Sequence, residues 1–408
     1  MDYPKLRNVN IFPAEMSGQT VLCLQDPLAI SEKSLFLPVP VYFIVSLFDG
    51  QHSLLDIQAE YMRRFGEFLF TDRIQEIVTL LEENLYLESD RFLEALRERE
   101  EQFKKAPIRG PFLAGKGYEG DPLRLQRQLG QYFQSPEGPG PLGEIKGRNG
   151  LKGVVAPHID YQRGGFCYAF AHREIGERNT SRCFVIFGTA HVPTTHPFTL
   201  TRKDFATPLG TLKANIDLIE GIESRCKGDL YLDEGVHRGE HSIEFQCLFL
   251  RYLYPEPTPL TIVPVLCGSF HEAIERGISP MELPAVREFV EALREAVSSR
   301  GETVCYIASA DLAHVGLQFG DREGMSEYGL RVLESQDLEL LGHAEKLDGE
   351  GFFSLIAKEG DRRKICGLPA IYSLLQVVDA KEGRLLKYGQ AFTRETQSVV
   401  SFASLAFY

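Results

Sequence analysis

The sequence predicts an α/β fold, a mixed sheet with helices on both faces, preceded by a small winged-helix-like domain. Three observations carry that prediction. From residue 151 onward, short apolar runs at 153–158, 183–189, 261–267 and 303–309 alternate with segments of helical period at 165–175, 213–225, 240–253, 283–298 and 323–343, the pattern of a sheet covered by helices. The runs are β-branched or aromatic and closed by turns, as strands buried on both sides of a parallel sheet read. The end of the chain differs: Arg384 to Thr393 and Ser398 to Phe407 read as two adjacent antiparallel strands, which makes one edge of the sheet mixed.

Residues 1 to 90 precede this alternation and contain no polar constellation of catalytic type. Gln25 to Phe48 reads as hairpin-like and largely apolar, and Asp49-Gly50 as a turn. Ser53 to Phe65 follows as a helix that Ser53 would cap, then Thr71 to Leu81 as a second, with Ile74, Ile77, Leu80 and Leu81 on one face. Asn84-Leu-Tyr-Leu87 closes the unit, and two helices flanked by short strands give the winged-helix-like reading. Asp49-Gly50, Ser53-Leu-x-Asp-Ile57, Arg64-Phe-Gly66 and Leu80-Leu-x-x-Asn84-Leu-Tyr-Leu87 resemble the PqqD-like domains. That resemblance implies a module that presents peptides to radical SAM or other modifying enzymes through an added strand. A helical regulatory or dimerising module is the competing reading.

Arg91 to Lys105 alternates acidic and basic residues around a sparse stripe of Phe92, Leu96 and Phe103, as a solvated connecting helix does. Pro107 to Pro122 and Ser135 to Gly153 contain much glycine and proline, with a helical pattern from Leu123 to Phe133 between them; the second reads as a loop. The domains expected are therefore 1–90, a charged linker helix at 91–108, and a larger domain at 109–408. Within the last, 153 to 191 is a strand, helix, strand unit. A right-handed crossover would deliver both strand ends, each closed by a histidine, to the edge of the sheet where ligands bind.

At 408 residues, 43% hydrophobic and 25% charged, the chain has the composition of a soluble globular protein. Its net charge of -13 argues against phosphate backbones and anionic membranes, so neither nucleic acid nor a membrane is expected as a partner. Met-Asp-Tyr-Pro-Lys at the start lacks the features of a secretory signal. The longest apolar run, Leu35 to Phe48, is short for a bilayer span and is interrupted by Pro38 and Pro40. A cytoplasmic location is expected.

The eight cysteines are scattered with no Cys-x-x-Cys pair, which indicates neither a zinc ribbon nor a disulfide framework. Cys183, Cys267 and Cys305 lie in or beside strand-like runs and Cys167 and Cys247 in helix-like ones, where core packing explains them. Cys366 is different, because Lys-Ile-Cys366-Gly-Leu-Pro follows the charged run Asp361 to Lys364 and places the thiol at a loop or helix start. Of the ten histidines, five fall in small, glycine- or acid-flanked contexts: His158, His191, His237, His241 and His314. His158, His191 and His314 each follow an apolar strand by a few residues, and together they imply one pocket at one sheet edge. His241-Ser-Ile-Glu244 starts a helix, and a spacing of three puts imidazole and carboxylate on one face, as in some metal-binding bundles. On periodicity this is the best local metal pair; orientation of some other group by the same two residues is the alternative.

Ala156-Pro-His158-x-x-Tyr161, Gly188-x-x-His191-Val-Pro193, Glu240-His241-Ser-Ile-Glu244, Pro264-Val-Leu, Ser309-x-Asp311-x-x-His314 and Ile365-Cys366-Gly occur in this order. Together they resemble the Memo family, also called AmmeMemoRadiSam system protein B, over roughly 109–408. The resemblance implies the fold of class III extradiol dioxygenases, in which two histidines and a glutamate hold a non-haem iron and a further histidine is the acid-base group. Carried over, it makes His158 and His191 metal ligands and puts Cys366 where the dioxygenase has its carboxylate. His314 takes the acid-base role with Asp311 to orient it, and His241 lines the pocket. Tyr161 and Glu244 are assigned to the substrate pocket with Asp160, a further carboxylate beside the site. Where Memo sequences often carry two adjacent histidines, this chain has His191 followed by Val192. A thiolate is softer and more strongly donating than a carboxylate, so iron(II) is the expected ion and copper or zinc is compatible with the same donors.

Two functions follow. One is a metal-dependent redox enzyme acting on a peptide or small metabolite in concert with radical SAM and AMMECR-like partners, the PqqD-like unit fitting a peptide. The other is a non-catalytic module that keeps a dioxygenase-derived pocket to hold metal or recognise a peptide, a reading the missing carboxylate favours. A third, cysteine nucleophile chemistry, would need Cys366 activated by a neighbouring histidine.

Overall fold

Between residues 10 and 38 the chain folds, in the computed structural model, into a three-stranded antiparallel sheet of β1 (Asn10–Met16), β2 (Gln19–Gln25) and β3 (Leu35–Pro38). All residues are described except 17, 29, 32, 144–149 and 302. The hairpin expected over Gln25 to Phe48 is corrected here. Its second half is α1 (Val39–Ser46), entered through Pro38 with Pro40 in the first turn, where a missing N–H costs nothing because that donor has no helical acceptor. Next, α2 (Leu54–Phe65) starts at Ser53, whose hydroxyl and Asp56 form a reciprocal capping box, and stops at Gly66 with φ +71. In α3 (Thr71–Glu83) the buried face is Ile74, Ile77, Val78 and Leu81. Leu80, expected on that face, is 42% exposed, since the stripe follows i, i+3, i+4, i+7. The helix α4 (Asp90–Lys105) buries Phe92 and Phe103 and belongs to the first of two compact units, Met1–Lys105 and Ala106–Tyr408.

The second unit contains, in order, β4 (Ile108–Arg109), α5 (Pro122–Gln134), β5 (Gly153–Ala156), α6 (Tyr161–Arg178), β6 (Cys183–Thr189), β7 (Phe198–Leu200), β8 (Asp204–Thr207), β9 (Gly210–Ala214), α7 (Ile216–Glu223) and α8 (Ser242–Leu253). It continues with β10 (Thr261–Cys267), α9 (His271–Arg276), α10 (Pro284–Arg300), β11 (Val304–Ser309), β12 (Asp311–Val315), α11 (Glu327–Glu345), α12 (Gly349–Lys358), α13 (Leu368–Val377), β13 (Gly383–Thr393) and β14 (Ser398–Phe407). The loop expected at Ser135 to Gly153 falls partly on 144–149, outside the described residues.

The sheet runs β12-β14-β5-β11-β6-β10-β9-β8-β4, with β13 on β14 and β7 on β10. Its centre is parallel: β11 pairs with both β5 and β6, and β6 with β10. One edge is antiparallel, where β14 lies against β5, β12 and β13. Alternate residues of the central strands face opposite layers. Val154, Phe184, Ile186 and Ile307 pack with Ile175 of α6 and Cys247 and Leu250 of α8, while Val155, Val185, Phe187 and Ala308 pack with residues of α7, α10 and α13. This is the mixed sheet with helices on both faces that the alternation predicts. Cys167, Cys183, Cys247, Cys267 and Cys305 are buried.

Two local features position the functional residues. Because β5, β6 and β11 are parallel, their carboxyl ends share an edge, and His158, His191 and Asp311 each lie two residues past an end. After Ser309 the chain re-enters the sheet as β12, so His314 sits inside a short strand rather than after one. The helix α6 begins at Tyr161, four residues before the expected Gly165. Asp160 caps it through the Arg163 N–H, and Gly164 and Gly165 serve packing, since a Cβ there would collide with Ile159 and Tyr132. No helix among the described residues is long and apolar enough to cross a membrane.

Candidate metal centre

Pro157, with no N–H to donate, ends β5 and turns His158 inward. The His158 ring is 2% exposed, and its Nδ1 lies 2.9 Å from the Ser309 carbonyl. A carbonyl only accepts, so Nδ1 carries the proton and Nε2 keeps its lone pair. That Nε2 is 3.2 Å from Cys366 Sγ and 3.6 Å from Asp311 Oδ2. His191, after β6, is held through Nδ1 by Glu240 Oε2 at 2.9 Å, and its backbone N–H donates to the same oxygen at 3.1 Å. Cys366 enters just before α13. The Gly367 N–H donates to the Asp311 carbonyl at 3.1 Å, and the approach is so close that a Cβ on Gly367 would strike the Asp311 backbone.

One ligand atom each from His158, His191 and Cys366 lies within 4.8 Å of the others. Bonds of about 2.0–2.3 Å to a tetrahedral ion place N and S donors roughly 3.3–3.8 Å apart, so the group fits an ion with small adjustments. Each imidazole has its other nitrogen tied to an acceptor, the arrangement that fixes tautomer and ring orientation around metals.

Burial holds His158 well below the ordinary imidazole pKa, with the His191 and His241 charges adding to it. Burial, then the Asp311 charge, pushes the Cys366 thiol well above its usual value, the opposite of what an activated cysteine nucleophile needs. Burial pushes Asp311 up to about 7 against the backbone N–H groups of His158 and Ile159. Burial opposes the charge on Glu240, yet its hydrogen bond to His191 and the neighbouring histidines keep it below the usual carboxylate range. Burial lowers His191, but the Glu240 hydrogen bond and charge outweigh it and raise the ring. His241 and His314 are both lowered, first by burial.

Several sequence assignments are corrected by these contacts. Glu244 does not reach the pocket. It is 1% exposed and bound by the Arg109 guanidinium, the Tyr118 hydroxyl and the backbone N–H groups of Phe112 and Leu113, so it anchors the 109–118 segment to α8. Tyr161 is equally buried, donating to the Phe245 carbonyl at 2.6 Å within an aromatic cluster. Asp311 orients His158, whose backbone N–H donates to its Oδ1 at 3.0 Å, not His314. The latter's Nδ1 is 3.2 Å from the carbonyls of both Leu312 and Lys364. His237 is structural, with Nε2 3.0 Å from the Thr199 carbonyl. His241 stacks on His191 at 4.9 Å, and its carboxylate neighbour is Glu240, 3.2 Å away. Sequence reasoning missed Glu240 as a site residue although it stands in the quoted Glu240-His241-Ser-Ile-Glu244 motif; with His191 and His241 it forms a second group within 4.8 Å.

Two cavities adjoin the centre. One of about 330 Å³ is lined by His158, His191, His241, Asp311 and His314, with Asp160, Arg163, Phe245 and Phe319. The other, about 290 Å³, is lined by His191 and Cys366 with Cys267, Phe270 and Leu368.

Residues 109–406 match the model of a family described as Memo-like protein. A MEMO1 family protein of Aquifex aeolicus (strain VF5) is 28% identical over 388 residues, 94% of this chain and 95% of that protein. A MEMO1 family protein of Pyrococcus abyssi (strain GE5 / Orsay) is 30% identical over 311 residues, 73% of this chain and 98% of its own length. A solved structure, that of uncharacterized protein JW3007 from Escherichia coli K12, overlays on 64% of this chain and all of its own with a TM-score of 0.36 and 12% identity.

Proposed function

The chain belongs to the family of Memo-like proteins, and from that premise we propose that it is a metal-dependent oxidoreductase whose ion is held by His158, His191 and Cys366. The observation that carries the reading is the convergence of two pinned imidazoles and one thiol, with 3.2 Å between His158 Nε2 and Cys366 Sγ. Two nitrogens and a sulfur suit non-haem iron, with copper or zinc as the alternatives. Bound there, a redox-active ion supplies electron transfer and Lewis acidity. The protein's own residues do the rest. The Ser309 carbonyl and Glu240 orient the two rings, Asp311 fixes the turn that presents His158, and His314, held by two carbonyls, holds or moves a proton at Nε2. Phe245 and Phe319 give the cavity an apolar wall. Its substrate is a small metabolite or a peptide segment. A winged-helix-like, PqqD-like role for the first unit as peptide carrier, a dioxygenase-like architecture, and radical SAM and AMMECR-like partners belong to the same proposal.

Elemental analysis of protein prepared without oxygen tests it. About one iron or copper per chain is expected, lost in His158→Ala and in Cys366→Ala and kept in His314→Ala, which should lose turnover. Metal retained by Cys366→Ala would overturn the ligand assignment. The second reading, a non-catalytic metal- or peptide-binding module, is favoured by the thiol in the carboxylate position, and it predicts metal without oxygen- or reductant-dependent turnover.

A further inference from the structure

The cavity of about 330 Å³ beside the centre has a single lysine or arginine among its described lining residues, Arg163. We propose that Arg163 is a substrate-binding residue that recognises the anionic group of a small organic acid with an apolar body. The inference rests on the proposed function in one respect, that this cavity is the one the substrate occupies.

The first turn of α6 sets the arginine. Asp160 accepts the Arg163 backbone N–H through Oδ1 at 3.1 Å and the guanidinium Nε through Oδ2 at 2.5 Å. One carboxylate therefore fixes both the helix start and the root of the guanidinium. Among the described residues no other side chain pairs with the guanidinium, so its terminal amino groups remain for a ligand, in the planar geometry that takes a carboxylate bidentately. The side chain is 45% exposed, which puts it at the mouth. Ile159, Phe245, Phe319 and Val400 give the cavity its apolar wall. The two acids there are committed, Asp160 to Arg163 and Asp311 to the backbone of His158. An incoming anion thus meets a guanidinium whose Nε is held by Asp160 and whose terminal amino groups face no other acid among the described residues, above an apolar wall, and the space suits roughly a dozen heavy atoms.

Fluorine NMR titration of the full chain, with and without zinc, tests the proposal using para-fluorobenzoate, para-fluorobenzamide and para-fluorobenzylamine as probes. The acid should bind at least about tenfold more tightly than the amide or the amine. Arg163→Gln should weaken the acid about tenfold and leave the amide unchanged, and Arg163→Lys, which keeps charge but not the fork, should fall between. Equal affinity for acid and amide, indifference of the acid to Arg163→Gln, or no binding of any probe overturns it. The metal-free titration separates the two readings: a chain that binds no metal but prefers the acid through Arg163 would sink the proposed function and leave this inference standing.

Discussion

Glu240 governs the second imidazole of the centre. One of its oxygens accepts both the ring and backbone N–H groups of His191, and the other accepts the backbone N–H groups of His241 and Ser242 at 2.7 and 2.9 Å. A carboxylate that orients a ligating histidine typically accounts for about 10–100-fold in metal affinity. Glu240→Gln should therefore weaken metal binding at least about tenfold in competition with a chelator; unchanged affinity would mean that packing alone holds the ring. The sequence directs attention to Glu244 instead, because periodicity favours a partner three residues along a helix. Glu240 acts from before the helix on a histidine 49 positions away, which no local pattern encodes. A second residue-scale consequence lies away from the centre. His172 is buried, its ring stacked on Phe249 at 4.6 Å, with Nδ1 3.0 Å from the Tyr168 carbonyl and Nε2 without a partner among the described residues. Burial pushes its pKa down to about 4 from 6.5. Between those values the unfolded chain binds the extra proton, so the stability this ring contributes is complete above pH 6.5 and is lost as pH falls toward 4. The loss is roughly 3 kcal/mol, and His172→Phe should flatten urea midpoints across that window. An unchanged pH slope would show that the ring protonates in place.

At the scale of elements, the segment between α12 and α13 presents Cys366 and also steadies His314. Asp361 and Lys364 adopt φ of +49 and +54, and between them Arg363 reaches Asp337 of α11 at 2.6 Å and Glu359 of α12 at 2.7 Å. Tyr388 of β13 donates to the other Asp337 oxygen at 2.9 Å, and the Arg363 carbonyl accepts the His314 N–H at 2.7 Å. Removing one member of such a buried pair costs about 3–5 kcal/mol, whereas an apolar pair of similar volume is close to neutral. Asp337→Ala should lower stability by that amount and weaken metal binding. Asp337→Leu with Arg363→Met should regain most of the stability in urea unfolding, and a double variant no better than the single would refute the ion-pair account. This segment was partly hidden in the sequence. Lys-Ile-Cys-Gly-Leu-Pro reads as a loop or helix start, and α13 does begin at Leu368, but nothing local announces α12 or the buried Arg363 contacts. The strands β6 and β10, by contrast, were legible to the residue as Cys183–Thr189 and Thr261–Cys267, because their apolar runs are buried on both faces and end sharply. The short strands β7, β8 and β9 mix polar and apolar residues over three to five positions, too few for a period to emerge.

For the whole molecule, the division into units carries the remaining expectation. The two clusters that sandwich the large sheet draw every residue from position 151 or later, and the cluster of the first unit draws its buried residues from 24 to 87. The Pyrococcus abyssi relative aligns over 98% of its length with 73% of this chain, and the match to the family begins at residue 109, past the first unit. A core that is complete within one segment argues that residues 106–408 fold alone, and on the proposed function that fragment would also hold the ion. The domain edge expected at 90 would leave the helix Asp90–Lys105 outside the first unit, whereas its buried Phe92 and Phe103 call for keeping it there, so the cut belongs after Lys105. Calorimetry of the full chain should then resolve two transitions. A bound ion at a hundred times its dissociation constant adds about 2.7 kcal/mol to the state that holds it, so metal should raise only the transition that the isolated 106–408 fragment reproduces. If metal raised both transitions together, or if the fragment lost its ion, the centre would depend on the first unit and the two cores would not be energetically separate.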